Sequence, residues 1–306
     1  MLMRRRSASH VYRALREAPD TAEITSAARQ AFARANPDVK LQRLVIVIAA
    51  YNEAGNIGAV LDEIPEQIAD VTVSRLVIDD GSRDGTTSVA QRHGALVCTL
   101  RANRGHGVAL RLGYRIAREA GAEYIATLDG DGQWDPADLP GMVQLLEENR
   151  ADFVVGSRQL GHTENTDNFR NVGVRFFARL ISRLTHAQLT DTSSGLRAMR
   201  AEVTAVVRQT QPQYQTSELL IGALFQGFRV AEVPTVMRQR ISGVSKKGDN
   251  LLYGLRYARV ISRTWWRERR RAGRPASQVA TPRAAQFGQP PEHPTNSGDR
   301  PDHTLA

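Results

Sequence analysis

The sequence predicts an α/β fold, a mostly parallel sheet flanked by helices, as a single domain with a helical N-terminal extension and a disordered C-terminal tail. Three observations predict it. Short β-branched runs alternate with helical stretches of ~10–15 residues between 41 and 199, the pattern of βαβ units. Polar clusters recur just after these runs, at Tyr51-Asn52-Glu53, at Asp79-Asp80-Gly81-Ser82, at 101–105 and at 129–133, where a parallel sheet gathers its ligands. The chain has 306 residues, 41% of them hydrophobic, which is enough to bury a substantial core.

In chain order, residues 8–36 carry helical spacing on Val11 and Leu15, then on Ile24, Ala27, Ala28, Ala31 and Phe32. Pro19-Asp20-Thr21 separates the two helices. Asn36-Pro37 ends the second. Strands are expected at 44–50, 74–78, 95–100, 124–128 and 153–156, and helices at 56–68, 86–93, 107–120 and 136–149. Beyond them, 172–184 and 217–227 read as helices, 228–238 as a strand, and 250–270 as a long basic amphipathic helix. The organisation is therefore an extension over 1–40, a core domain over 41–249, the basic helix and a tail over 271–306. That tail holds six of the 13 prolines and almost no apolar residues, so it buries too little surface to offset its ordering entropy. No internal repeat is present.

The charge is uneven. Lys+Arg number 41 against 32 Asp+Glu, a net +9, and the excess lies in Arg4-Arg5-Arg6 and in 256–274, with its eight arginines. Such blocks attract an anionic membrane surface or nucleic acid. A basic excess concentrated at the ends and an acidic rim on the sheet argue against nucleic acid. The lone Cys98 excludes an intramolecular disulfide or a Cys-based zinc site. No apolar segment follows Arg4-Arg5-Arg6 as in a signal peptide, and no run approaches the ~18–20 apolar residues of a membrane span. These features predict a cytoplasmic protein whose membrane contact is peripheral, on the inner face of the cell membrane.

The most informative cluster is Leu128-Asp129-Gly130-Asp131-Gly132-Gln133. Alternate residues of an extended segment share a face. Two carboxylates and an amide oxygen on one side of a turn suit Mg²⁺ or Mn²⁺, which keep coordination positions for substrate phosphates. A metal-diphosphate enzyme is the first expectation, with an acidic solvated turn as the plain alternative. A dinucleotide-binding dehydrogenase is disfavoured, because no Gly-x-Gly-x-x-Gly follows the first strand.

Read in order, Ala49-Ala50-Tyr51-Asn52-Glu53, then Val77-Ile78-Asp79-Asp80-Gly81-Ser82-Arg83-Asp84-Gly85-Thr86, then the Asp129–Asp131 cluster resemble the GT-A, family 2 glycosyltransferases. Among these the chain is similar to the dolichol- or polyprenyl-phosphate sugar synthases. Gly156-Ser157-Arg158, Thr190-Asp191-Thr192-Ser193-Ser194-Gly195-Leu196-Arg197 and Arg240-Ile241-Ser242-Gly243-Val244-Ser245-Lys246 continue the likeness. The resemblance implies a GT-A catalytic domain over 41–249 that moves a hexose, with inversion, from a nucleoside-diphosphate sugar such as GDP-mannose or UDP-glucose to a polyprenyl phosphate. It assigns Ala50, Tyr51, Glu53, Asp79, Asp80 and Asp129 to the donor nucleotide, and Asp129, Asp131 and Gln133 to the metal and diphosphate. Arg158, Arg170, Arg197, Arg240 and Lys246 are implied to contact donor or acceptor phosphate, as a guanidinium fork suits. Asp191, Asp131 and Arg158 are its catalytic residues, with Glu218 a fallback base for an alcohol acceptor. Residues 240–246 resemble a flap with Gly243 as hinge.

The chain departs from the family's pattern at Ala49, where relatives often have Pro, and at His106, where many have Lys. Many relatives also carry membrane-spanning helices, for which the interleaved aromatic residues and arginines of 251–267 would substitute as an interfacial helix. A soluble small-molecule acceptor is the alternative to the lipid.

Overall fold

The computed structural model describes residues 21–164, 168–240 and 250–272, excepting the side chains of 168–170, 250–253 and 272. The side chain of Arg170, Lys246 and the rest of the expected flap beyond Arg240, the first half of the helical extension and the expected tail beyond Ala272 lie outside the described residues.

A first helix, α1 (Thr21–Ala35), precedes β1 (Leu44–Ala50), α2 (Ile57–Asp62), β2 (Gln67–Ile68) and β3 (Val71–Asp79). There follow α3 (Thr86–Arg92), β4 (Leu96–Thr99), α4 (His106–Glu119) and β5 (Tyr124–Asp129). After a short 3-10 turn (Pro136–Asp138) come α5 (Leu139–Glu147), β6 (Phe153–Thr163), α6 (Asn168–Thr185) and β7 (Arg197–Arg200). The described chain ends with α7 (Ala201–Val206), α8 (Gln215–Phe225), β8 (Val230–Met237) and α9 (Asn250–Ala272).

The strands stand in the order β2-β3-β1-β5-β7-β6-β8, with β4 also paired to β3. β1 is buried along its whole length, as an apolar run without polar alternation requires of a central strand. Its alternate residues feed two layers. Val45, Val47 and Ala49 face a core built with α4, α6, α8 and α9. Leu44, Ile46, Ile48 and Ala50 face one built with α2 and α5.

Register is what makes the site. β1 pairs in parallel with β3 and β5, setting Ala50 opposite Asp79 and Ala49 opposite Asp129, and β3 sets Asp79 opposite Thr99. Three of the four polar clusters therefore leave strands that end at one level, and the 101–105 cluster follows from β4.

The sheet is mostly parallel, as expected, with β7 the reversed strand inside it. β7 was not anticipated, and it pairs antiparallel with both β5 and β6. Because it runs backwards, its first residue Arg197 lies at the same rim, opposite Thr127 and Val155. The 191–196 motif is thus delivered beside Asp129. Two boundaries differ most. The helix expected over 56–68 stops at Asp62, because Pro65 cannot continue it and Gln67–Ile68 instead pair back on Val71 and Thr72 through a turn with positive φ at Ala69 and Asp70. The strand expected over 153–156 runs on to Thr163, with an irregularity between Ser157 and His162 in its pairing to β8.

Candidate active site

The Asp79-Asp80 pair ends β3 buried, where two adjacent carboxylates repel unless donors share them. The structure supplies the donors. Asp79 Oδ1 accepts from Ser82 N at 2.8 Å, and Oδ2 accepts from the Thr87 hydroxyl. Asp80 accepts from the backbone amides of Arg104 at 2.7 Å and Gly105 at 2.8 Å. Burial nonetheless pushes the Asp80 carboxyl up to about 6, against the pull of those two amides and of His106. Gly105 holds φ +97 just before α4, so the turn that carries both amides is one only glycine adopts easily.

Ala50 and Tyr51 follow at the end of β1, where the Ala50 carbonyl accepts from Asp80 N at 2.8 Å and Tyr51 is half-buried. Glu53 N donates to Thr86 Oγ1 at 2.9 Å, and Glu53 Oε2 accepts from Asn56 Nδ2 at 2.7 Å. The loop after β1 is also stitched to the loop after β3 through Asn52 N to Ser82 Oγ (2.8 Å) and Arg83 N to Asn52 Oδ1 (2.9 Å). The loops after β1 and β3 therefore form one connected wall.

Asp129 is the last residue of β5, and Gly132 with φ +74 closes the turn that follows. Asp131 is buried, and its Oδ1 accepts from Gln133 N at 3.2 Å. Asp129 Oδ2 accepts from Trp134 Nε1 at 3.0 Å, while its Oδ1 lies 3.5 Å from His106 Nε2. Arg240 reaches the same place from beyond β8, with Nη2 2.6 Å from Asp131 Oδ2 and Nη1 3.5 Å from Glu53 Oε1. Among the described residues no group of three His, Cys, Asp or Glu side chains is placed to hold an ion. Asp129 and Asp131 nevertheless fit one. Their donors are hard oxygens, as Mg²⁺ or Mn²⁺ prefers, and a guanidinium already stands against Asp131 as a cation.

Arg158 and Asp191 were expected to face phosphate and acceptor. Instead they face each other, 5% and 0% exposed. Arg158 Nε and Nη2 donate to Asp191 Oδ2 (2.5 Å) and Oδ1 (3.1 Å), and Nη2 also donates to Ser193 Oγ at 2.8 Å. Its guanidinium lies 5.4 Å from the centre of the Trp134 ring. Burial alone would lower the Arg158 pKa, but Asp191 beside it leaves it raised. In this arrangement Asp191 and Ser193 occupy Nε and Nη2 of Arg158.

Arg197 is also buried, 2% exposed, with Nε on the Ser194 carbonyl at 2.9 Å. Glu218, the fallback base, is fully buried, and its oxygens accept from Thr210 N (2.8 Å), Thr210 Oγ1 (2.9 Å), Gln211 N (2.9 Å) and Arg267 Nη1 (2.7 Å). It ties α8 to α9.

Two participants escaped the sequence reading. Trp134 joins the Asp129 turn to the Arg158–Asp191 pair, and its place in Gln133-Trp134-Asp135 was the only signal. Glu232, on β8, accepts from the amides of Thr190 (2.8 Å) and Asp191 (2.9 Å), which positions the Asp191 loop, and nothing local in sequence marks it.

A family model described as glycosyl transferase family 2 matches residues 45–207. A dolichyl-phosphate hexose transferase of Haloferax volcanii is 32% identical over 197 residues, covering 64% of this chain and 83% of that one. A polyprenol monophosphomannose synthase of Mycolicibacterium smegmatis is 28% identical over 223 residues, covering 69% and 83%. Among solved structures, glucosyl-3-phosphoglycerate synthase from Mycobacterium tuberculosis, in complex with Mn²⁺, uridine diphosphate and glucosyl-3-phosphoglycerate, superimposes with a TM-score of 0.58. It is 21% identical and covers 81% of this chain and 85% of that one, a likeness of fold.

Proposed function

The chain belongs to glycosyl transferase family 2, and from that premise we propose that it moves a hexose from a nucleoside-diphosphate sugar to a polyprenyl phosphate, with inversion. The observation that carries this reading is the register that brings Asp79, Asp80, Asp129 and Asp131 to one rim beside Arg240. The names of the Haloferax and Mycolicibacterium relatives support a lipid phosphate as acceptor.

Tyr51, Glu53, Asp79 and Asp80 take the base and ribose, with mannose or glucose as the hexose and GDP or UDP as its carrier. Asp129 and Asp131, with Gln133, hold a divalent ion, Mg²⁺ or Mn²⁺. That ion, when bound, offsets the charge gathering on the leaving diphosphate. An acceptor phosphate oxygen attacks the anomeric carbon from the face opposite the leaving group, and the bond to the diphosphate breaks as the new one forms. A phosphate acceptor arrives ionised, so no base is needed, in keeping with Asp191 being paired to Arg158. That pair acts by positioning Trp134, and through it Asp129. Arg170, Lys246 and Arg240 are the cations assigned to phosphate.

No described helix is long and apolar enough to cross a membrane. We assign lipid contact to the exposed basic face of α9, on the cytoplasmic side of an anionic membrane. The test is product formation by purified full chain with Mn²⁺ or Mg²⁺, GDP-mannose or UDP-glucose, and a short polyprenyl phosphate, beside Asp131→Ala and a control without lipid. Lipid-dependent glycolipid that vanishes in Asp131→Ala supports the reading. Turnover that ignores the lipid moves the acceptor to a soluble small molecule.

A further inference from the structure

Arg240 sits in the acidic cradle by construction. β8 leaves the sheet against the turn that carries Asp131: Met237 bridges to Trp134, and Arg238 N donates to Gln133 O at 2.8 Å. The Arg238 side chain then clamps Glu63 at 2.9 Å and also Asp135. Two residues on, the Arg240 head is drawn between Glu53 and Asp131, with its side chain 19% exposed and each carboxylate 11%. Its closest contact, at 2.6 Å, is on Asp131, a carboxylate assigned above to the ion.

We propose that Arg240 is the resident cation of this cradle, which the divalent ion must displace from Asp131, and that the freed guanidinium then turns to the donor diphosphate. The inference rests on the reading of Asp129 and Asp131 as the ion's carboxylates. A guanidinium and a divalent ion on one carboxylate repel strongly at partly buried separations, so the two alternate rather than coexist. The diphosphate is the natural new partner, because a guanidinium fork matches its oxygens. Exchange makes ion and donor bind as a set. The ion alone works against the Asp131–Arg240 pair, whereas the ion with a diphosphate leaves Arg240 an anion to move to.

The test is Mn²⁺ titration, by electron paramagnetic resonance and calorimetry, of the full chain without donor at one pH. The proteins are wild type, Arg240→Gln, Arg240→Lys, Asp131→Asn and, as a control for charge alone, Arg83→Gln at an exposed position of the same rim. Losing one charge-assisted contact of about 1.4 kcal/mol should tighten Mn²⁺ binding about tenfold in Arg240→Gln. Arg240→Lys and Arg83→Gln should stay near wild type, and Asp131→Asn should lose the site. A nucleoside diphosphate should then strengthen Mn²⁺ binding less in Arg240→Gln than in wild type.

Equal Mn²⁺ affinity in wild type and Arg240→Gln, at a site that Asp131→Asn removes, overturns the exchange and leaves the metal reading standing. A gain in Arg83→Gln as large as in Arg240→Gln also overturns it, since field rather than contact would explain both. Mn²⁺ binding indifferent to Asp131→Asn in every protein overturns the metal reading itself, and the exchange with it.

Discussion

Arg158 and Asp191 form a buried bidentate pair, Nε to Oδ2 at 2.5 Å and Nη2 to Oδ1 at 3.1 Å. The pair joins β6 to the loop before β7. Ser193 N closes that loop on Asp191 Oδ1 at 3.0 Å, and Glu232 holds the amides of Thr190 and Asp191 from β8. The guanidinium then lies over Trp134, whose indole N–H fixes Asp129. A buried ion pair is weak evidence for stability but strong evidence for position, because its two members tolerate only one geometry.

Breaking this pair from one side should be costly. Arg158→Ala leaves the Asp191 carboxyl wholly buried without its guanidinium partner, and the expected loss is about 3–5 kcal/mol of folding stability. Urea unfolding followed by circular dichroism measures it. Replacing both residues by apolar ones of similar volume should recover most of that loss while activity stays low. Recovery of activity along with stability would show that the pair only holds the fold.

Gly195 meets Asp129 and Trp134 directly. A Cβ built on it lies 2.7 Å from Trp134 Nε1 and closer still to the Asp129 carboxylate, so Gly195→Ala must push the indole and the carboxylate apart. Thr127 Oγ1 holds the Gly195 carbonyl at 2.8 Å, so the backbone cannot retreat freely. The protein should fold, losing about 1–3 kcal/mol. Turnover should fall on the order of a hundredfold, as expected of a misplaced group at a reacting centre. Steady-state kinetics beside thermal unfolding separates the two effects.

Asp80 predicts a pH limit on nucleotide binding. Burial raises its pKa from 3.8 to about 6, with Asp79 adding to the rise and the amides of Arg104 and Gly105 and the charge of His106 opposing it. Between those values the folded chain holds a proton that the unfolded chain has released, so Asp80's contribution to stability falls as pH rises through the window. Nucleotide binding should run the other way, since only the ionised carboxylate accepts freely from base or ribose donors. Calorimetric affinity for UDP or GDP should be level above pH 7 and weaken as pH drops through about 6, approaching tenfold per unit. Asp80→Asn should bind weakly at every pH and lose that slope.

How much of this was legible in the sequence depended on whether a contact is local. The strands ending at Ala50, Asp79 and Asp129 show as apolar runs stopped by acidic clusters, so the parallel half of the sheet and its acidic rim could be read directly. β7, Arg197-Ala198-Met199-Arg200, has no alternation long enough to mark a strand, and its place between β5 and β6 comes from pairing alone. The motif arginines were recognisable as motifs, but whether each meets phosphate or protein is decided across the chain. Asp191 claims Arg158, the Ser194 carbonyl claims Arg197, and Asp131 takes Arg240 across more than a hundred residues. Glu218 looked like a spare carboxylate until Arg267 was placed on it from α9.

That last contact changes how membrane binding has to be tested. α9 carries two faces. Tyr257, Val260, Ile261 and Thr264 are buried, Tyr257 meets Phe177 of α6 edge-on with ring centres 4.6 Å apart, and Arg267 reaches Glu218 at 2.7 Å. Leu255, Arg259, Arg263, Trp266 and Arg270 are exposed, spaced as a helix face. Deleting the helix would strip the core and leave a buried carboxylate unpaired, so a truncated chain that fails to bind vesicles says nothing about lipid. The informative variant is Arg259→Glu/Arg263→Glu/Trp266→Ser, which alters the outer face alone. Its unfolding temperature should match wild type, because exposed substitutions seldom cost more than about 0.5 kcal/mol. An arginine near an anionic surface contributes about 1 kcal/mol, so losing two, with the Trp anchor, should cut vesicle binding by about thirtyfold or more. Flotation with vesicles of anionic phosphatidylglycerol, beside neutral vesicles, reads this directly. A variant that floats as well as wild type would move the lipid-facing surface off α9.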